Sequence, residues 1–261
     1  MALSHVASGS QAVTYWREFW SCCLCGYLNT RDQTDGPVSE SDREGDPCSK
    51  CGSVWRQRAV ALGVLHGLSS VAGPLSHRSL DLSIRGLGIS DDHVLASQLT
   101  SAFYYTNSSL TDWPILDLNQ PSSSLRASFD FVTCSDVLEH VWPDPQHALE
   151  QLRSLLKARG FAVITVPVNT EKTVSHYPGL HEWHFDGQAV QWTDDRGRAH
   201  VNDEPIFHGG FGETLEMVSW KDTDFERLVV ESGFTSVQPV PIVPSLGITA
   251  VPHHGCYIAS Q

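Results

Sequence analysis

From residue 73 onward, short apolar runs alternate with segments of helical period, the pattern of a parallel sheet covered by helices. The first run, over 79–90, carries Leu80, Leu82, Ile84, Leu87 and Ile89 and ends in the turn Gly86-x-Gly88-x-Ser90-Asp91. A helix is predicted over 93–103 and a short strand over 104–107, then a turn at Trp113-Pro114 before Ile115-Leu116-Asp117-Leu118. A Pro- and Ser-rich loop leads to a strand over 129–134. Leu149, Leu152, Leu155 and Leu156 predict an amphipathic helix over 145–159 closed by Gly160 as C-terminal cap, and 161–166 reads as a strand buried on both faces. A helix over 225–233 then precedes strands over 237–243 and 255–259.

The region before residue 73 follows another logic. Cys22-Cys23-Leu24-Cys25-Gly26 and Cys48-Ser49-Lys50-Cys51-Gly52 are two C-x-x-C-G knuckles separated by a polar stretch too hydrophilic to form a core. Each knuckle offers two thiolates from one tight loop, so Cys22, Cys25, Cys48 and Cys51 form a tetrahedral Zn²⁺ ligand set with no open position, which is a structural site. Cys23 is a bystander, and Cys134 and Cys256 read as buried small residues. Trp55, Ala59, Leu62 and Leu65 predict a helix over 54–68 that links this module to the rest. The expected division is 1–72, zinc module and linking helix, and 73–261, an α/β domain with a lid-like insert at about 168–218.

The stretch FDFVTCSDVLEHVWPDPQHALEQLRSLLKARGFAVITVP, residues 129–167, resembles the fourth strand, following helix and fifth strand of class I S-adenosylmethionine-dependent methyltransferases. The tail is similar to the last two strands of that fold, which pair antiparallel. Ser90-Asp91, Tyr105-Thr106-Asn107 and the segment from His208 through Gly209, Gly210 and Gly212 to Thr214-Leu215-Glu216-Met217 resemble a subgroup associated with saccharide or secondary-metabolite biosynthesis. The resemblance covers roughly residues 75–261. It implies a Rossmann-like sheet with helices on both faces and S-adenosylmethionine as cofactor. The implied cofactor residues are Gly86, Gly88 and Ser90 in a thinned glycine motif, Asn107 at the ribose where the family has an acid, Asp117 and Leu118 at the adenine, and Asp136 in DVLEH.

Composition narrows the partners. Acids outnumber Lys and Arg 30 to 17, a net charge of −13, which disfavours a nucleic-acid substrate. No apolar run is long enough to span a bilayer, and the opening residues lack a signal-peptide pattern, so a cytoplasmic protein is expected. Methyl transfer to a hydroxyl needs positioning and a base, and the base candidates are His140, His176, His181 and His208. His176, His181 and His184 with Glu182 or Asp186 offer an alternative second metal set. Trp183, Trp192 and Trp220 read as packing rather than stacking platforms.

The leading expectation is O-methylation of a small molecule, a sugar or natural-product hydroxyl. Two alternatives stand beside it: a methyltransferase fold turned to cyclisation, elimination or scaffolding, and a zinc-bearing RNA methyltransferase. Oligomeric state is not readable from the sequence.

Overall fold

The computed structural model describes residues 16–33, 44–69, 73–168, 171–208, 214–249 and 253–261. The opening segment, most of the polar stretch between the knuckles, and Gly209, Gly210 and Gly212 lie outside these. An N-terminal hairpin, β1 (Trp16–Ser21) and β2 (Leu28–Gln33), carries the first knuckle between its strands and is followed by α1 (Trp55–Gly67). Then come β3 (Asp81–Ile89), α2 (His93–Ala102), β4 (Phe103–Ser108), β5 (Phe129–Ser135), α3 (Pro145–Leu155) and β6 (Leu156–Pro167). An insert of short antiparallel strands follows: β7 (Val174–Ser175), β8 (Leu180–Phe185), β9 (Val190–Asp194), β10 (Ala199–Asn202), β11 (Phe207–His208), β12 (Thr214–Leu215) and β13 (Val218–Ser219). The chain closes with α4 (Asp222–Glu231), β14 (Ser236–Pro239) and β15 (His254–Ser260).

The main sheet has the order β14-β15-β6-β5-β3-β4, with β3 to β6 parallel and β15 antiparallel between β6 and β14. Its central strands are apolar on both faces because both are covered. Phe131, Phe161 and Val163 face α1 and α2, where they meet Ala59, Leu62, Leu95 and Leu99. Val132, Cys134, Ile164 and Val166 face α3 and α4, where they meet Leu149, Leu152, Phe225 and Val229. Trp20, Cys22, Leu24 and Leu75 belong to the first of these clusters, so the cysteine module and one face of the sheet share a core. The insert has its own small cluster of Tyr177, Leu180, Val190, Trp192 and Leu215.

Two element expectations are corrected. The helix predicted to Arg159 ends at Leu155, and Gly160 caps nothing. Ala127 N–H and Ser128 N–H take the carbonyls of Ser154 and Leu155, and Leu156 then pairs with Phe129, so strand pairing captures the chain before the helix can continue. The strand predicted over 237–243 stops at Pro239, where two prolines, Pro239 and Pro241, remove ladder donors. In the loop that follows β4, Ile115 makes one bridge to Ser109, and Leu116 and Leu118 are buried as loop anchors.

Candidate functional site

The two knuckles come together as the spacing predicts. Gly26 N–H and Gly52 N–H donate to the carbonyls of Cys22 and Cys48 at 2.8 Å, and both glycines take positive φ, +73° and +74°, which a side chain resists. Cys22 Sγ lies 3.7 Å from Cys51 Sγ, and Cys25 Sγ 3.6 Å from Cys48 Sγ. A tetrahedral Zn²⁺ with Zn–S of about 2.3 Å sets its sulfurs about 3.8 Å apart, so the four thiols fit this ion. Asn29 joins the knuckles, its Nδ2 donating to Cys48 Sγ at 3.5 Å and its Oδ1 accepting from Ser49 N–H at 2.8 Å. Burial opposes ionisation of Cys48, but the N–H groups of Cys51 and Lys50 and the Asn29 amide bring its thiol down to about 6. Arg58 is buried behind the cluster, 4.4 Å over the Trp20 ring, with Nε donating to Gly247 O at 3.0 Å. A buried guanidinium bonded to carbonyls offsets the excess negative charge that four thiolates leave on a zinc. Cys23 turns away and donates to the Arg58 carbonyl.

Strand β3 is the switch point of the sheet: the chain steps from it to β4 on one side and pairs with β5 on the other. In open α/β sheets, ligands sit outside the carboxyl ends of strands at such a point. A cleft of about 380 Å³ lies there, lined by Ser90 and Asp92 after β3, Ser135 and Asp136 after β5, Arg56 and Gln57 of α1, and His140, His208 and Thr214. Of the cofactor candidates, Ser90 and Asp136 line this cleft. Gly86 and Gly88 lie behind it, and the space beside them is filled by the protein itself: a Cβ on Gly88 falls 2.5 Å from Asn107 Oδ1 and 2.9 Å from Asp91 Oδ2. Asn107 braces the turn, Oδ1 accepting from Asp91 N–H at 3.1 Å and Nδ2 donating to Asp91 O at 2.8 Å. Asp117 is exposed and caps its own turn through Asn119 N–H.

Asp91 lies under the turn, where Thr133 Oγ1 donates to its Oδ2 at 2.5 Å and the Tyr105 hydroxyl donates to the same oxygen. Burial raises its carboxyl to about 6, against the pull of these donors, and its Oδ1 is a buried acceptor with no partner. An orphaned acceptor beside a cleft of nucleoside size fits a ligand rich in hydroxyl and amino donors.

Asp136 is held by Arg56 Nη1 at 2.9 Å, His254 Nε2 at 3.2 Å and Thr165 Oγ1 at 2.7 Å. Burial opposes its charge, but His254, Arg56 and Thr165 keep its carboxyl well below the usual carboxylate range. A depressed carboxylate stabilises the fold above its unfolded pKa, about 4, and loses that contribution as pH falls through the folded value. Asp136→Asn is therefore expected to cost about 3 kcal/mol at pH 7 and to flatten the loss of stability below about pH 4, as read by urea denaturation across pH.

The insert brings a second cluster into the cleft. Glu139 and His140 sit on the turn after β5, and Met217 N–H bonds the Glu139 carbonyl at 2.7 Å, pinning the end of the insert there. His140 Nδ1 donates to Leu215 O at 2.8 Å, and its Nε2 faces His208 Nδ1 at 3.1 Å. His208 Nε2 lies 2.9 Å from Glu216 Oε2, and Glu216 Oε1 lies 3.2 Å from His176 Nε2. Burial lowers His140; it also opposes charge on His208, but Glu139 and Glu216 outweigh it and raise His208 to about 9. His176 and His208 likewise overcome burial and bring Glu216 to about 2.

Three of the four candidate histidines thus meet, while His181 stands apart, 70% exposed. The alternative metal set is not gathered: His184, Glu182 and Asp186 are exposed on or beside β8, and Asp186 accepts from Gln188 and Ala189 N–H. Trp192 is buried against His200 and Tyr177, Trp220 is buried under α4, and Trp183 is partly exposed. Sequence reading missed Glu139, Glu216, Arg56 and His254 as site residues. Glu139 and Glu216 stood inside quoted motifs beside candidate histidines, a usable signal, whereas Arg56 and His254 are joined to Asp136 only by the fold.

Residues 62–162 match the family described as "Methyltransferase domain". That stretch contains β3, α2, β4, β5 and α3, which frame most of the cleft. Among curated proteins, a ubiquinone biosynthesis O-methyltransferase of Paraburkholderia phytofirmans is 32% identical over 93 residues, 35% of each chain. One of Haemophilus ducreyi is 30% identical over 110 residues, 42% of this chain and 43% of the relative. The chain thus spans less than half the length of these relatives. Among solved structures, Burkholderia thailandensis 1,6-didemethyltoxoflavin-N1-methyltransferase, with bound 1,6-didemethyltoxoflavin and S-adenosylhomocysteine, is 14% identical, covers 98% of each chain and has a TM-score of 0.44. The citrinin polyketide synthase CMeT domain is 12% identical, with 82% of this chain and 54% of that chain covered and a TM-score of 0.49. The family match lies on the parallel strands β3 to β5 and the antiparallel β15 is inserted between β6 and β14, so residues 62–162 are similar to a methyltransferase domain.

Proposed function

We propose that the protein transfers a methyl group from S-adenosylmethionine to a hydroxyl oxygen of a small molecule, a sugar or natural product, within the cleft at the switch point. The observation that carries this reading is that one cleft joins the turns after β3 and β5 to the His140–His208 pair. When bound, S-adenosylmethionine supplies an electrophilic methyl on a sulfonium, and transfer then depends on holding an oxygen in line with it and excluding water. Ser90, Asp92 and Asp136 hold the polar and cationic parts of the cofactor, with Asn107 and Asp91 fixing the turn that presents Ser90. Within the His140–His208 pair, His140, which burial keeps neutral, draws off the acceptor's proton, while Glu139 and Glu216 balance the charge on His208. Zinc in the cysteine cluster braces the core that α1 shares with the sheet. On this reading residues 1–72 form the bracing module, and the insert at about 168–218 carries acceptor-side groups.

Relatives named as ubiquinone biosynthesis O-methyltransferases support an oxygen acceptor on a small molecule. The excess of acids supports the same class over RNA. The test is transfer of radiolabelled methyl from S-adenosylmethionine to a panel of catechols, phenols and glycosides. His208→Ala is expected to lower kcat about 10²- to 10⁴-fold with little change in S-adenosylhomocysteine affinity. Tight S-adenosylhomocysteine binding with no transfer to any hydroxyl acceptor points instead to the non-methylating alternative.

A further inference from the structure

We infer that a second pocket, at the outer edge of β15, binds a short amino alcohol, a cationic amine with a hydroxyl at the other end of its carbon chain. The inference goes beyond the proposed methyl transfer and does not draw on what the cleft binds.

Strand β14 ends at Pro239, opposite Tyr257. Val240 N–H still donates to the Cys256 carbonyl at 2.8 Å, but among the described residues no strand follows β14 along this edge, past Gly255 and His254. A pocket of about 260 Å³ lies there, between the start of β15, the first turns of α1 and the first turns of α4. It shares no lining residue with the cleft at the switch point. Val240, Ile248 and the Trp55 ring give it an apolar wall, and Trp55 is fixed by its Nε1–H, which donates to the Thr249 carbonyl at 2.6 Å.

Two carboxylates line the pocket from α4. Asp222 and Glu226 stand one helical turn apart and so lie on one face. The Tyr257 hydroxyl donates to Asp222 Oδ1 at 2.6 Å, but no Lys or Arg lines the pocket, and among the described residues neither carboxylate is ion-paired. Neighbouring carboxylates without a counter-charge favour a cation between them.

The other polar group comes from β15 and asks for a donor. The His254 side chain is 2% exposed, its Nε2 lies 3.2 Å from both Asp136 oxygens, and its Nδ1 is buried with no partner. His254 lines the pocket and not the cleft, so the ring sends Nε2 toward Asp136 and keeps Nδ1 on the pocket side. Arg56, 2.9 Å from Asp136, already matches the charge of that carboxylate. A neutral imidazole donating from Nε2 therefore suffices there, and Nδ1 carries a lone pair. A buried acceptor left without a donor is costly, and Asp222 and Glu226, acceptors themselves, cannot supply one.

The two ends of the ligand follow from these two demands. An ammonium group meets the α4 carboxylates, a donor meets Nδ1, and the methylenes between them lie on the apolar wall. The inner donor is a hydroxyl rather than a second ammonium, because a neutral imidazole offers no counter-charge to a buried cation.

The test is a titration of zinc-replete full-length protein with 4-amino-1-butanol, followed by saturation-transfer NMR of the ligand. The controls are n-butylamine, which lacks the hydroxyl, and 1,4-butanediol, which lacks the charge. Saturable binding is expected, at least about tenfold tighter for the amino alcohol than for either control. The isosteric Glu226→Gln, on a partly exposed helix face, is expected to lower amino alcohol affinity about tenfold with an unchanged thermal midpoint. No saturable binding to the wild type, equal affinity for the three compounds, or wild-type affinity in Glu226→Gln each overturns the inference.

Discussion

Replacing Cys48 with serine is expected to abolish zinc binding and to take most of the fold's stability with it. A structural Zn²⁺ contributes about 10 kcal/mol or more in small zinc domains, comparable to the whole stability of a typical domain, about 5–15 kcal/mol. Here the loss would not stay local. Cys22, Leu24 and Leu75 share a buried cluster with α1 and with Phe161 and Val163 of the sheet, and the Leu75 and Ser76 N–H groups bond the Cys23 and Leu24 carbonyls. Unfolding the knuckles therefore exposes the α1 face of the main core and leaves Arg58 buried without counter-charge. Zinc content by atomic spectroscopy and the thermal midpoint read the effect. Cys48→Ser should lose the thiolate-bound metal and melt far below the wild type or fail to fold, whereas Cys23→Ser should retain both. Full zinc content in Cys48→Ser would remove this cysteine from the ligand set.

The second large effect is at Gly88. Its absent side chain makes room for Tyr105, Asn107 and Asp91, and an alanine Cβ would lie 2.0 Å from Tyr105 Oη. Those three side chains cannot simply yield. Tyr105 is stacked on Phe131, Asn107 is bonded twice to the Asp91 backbone, and Asp91 is held by Thr133. Gly88→Ala is expected to cost about 3 kcal/mol by overpacking and to displace the Ser90–Asp92 turn. Since that turn lines the cleft, S-adenosylhomocysteine affinity should fall at least about tenfold, the equivalent of 1.4 kcal/mol. Urea denaturation and calorimetric titration separate the two consequences. A variant with wild-type stability and affinity would mean the turn is not packed as described.

The sheet was legible because its central strands are buried on both faces, so the end of β6 reads as a nearly continuous apolar run, and because DVLEH followed by an amphipathic helix is a long ordered match. The cysteine cluster was legible because both cysteines of each pair come from one turn. Local pattern misled where tertiary pairing competes with helix propensity. Leu156 continues the apolar period of α3, yet its backbone pairs with Phe129 in the sheet. The resemblance implied Gly86 and Gly88 as cofactor residues, whereas the space beside them is occupied by Phe131, Tyr105 and Asn107 from neighbouring strands, which no single-segment pattern displays. The Glu139–His140–His208–Glu216 cluster joins a turn to an insert about 70 residues later, so the motifs named its members but not their meeting. Arg56 and His254, nearly two hundred residues apart, meet at Asp136 by sheet topology alone.

Under the proposed function, the cleft between the β3 and β5 turns is a nucleoside cofactor site. Isothermal titration of S-adenosylhomocysteine into zinc-replete wild-type protein tests it most directly. Saturable binding of one molecule per chain is expected, weakened by Gly88→Ala and retained by His208→Ala. Absence of binding to folded, zinc-replete protein, or binding indifferent to Gly88→Ala, would contradict it.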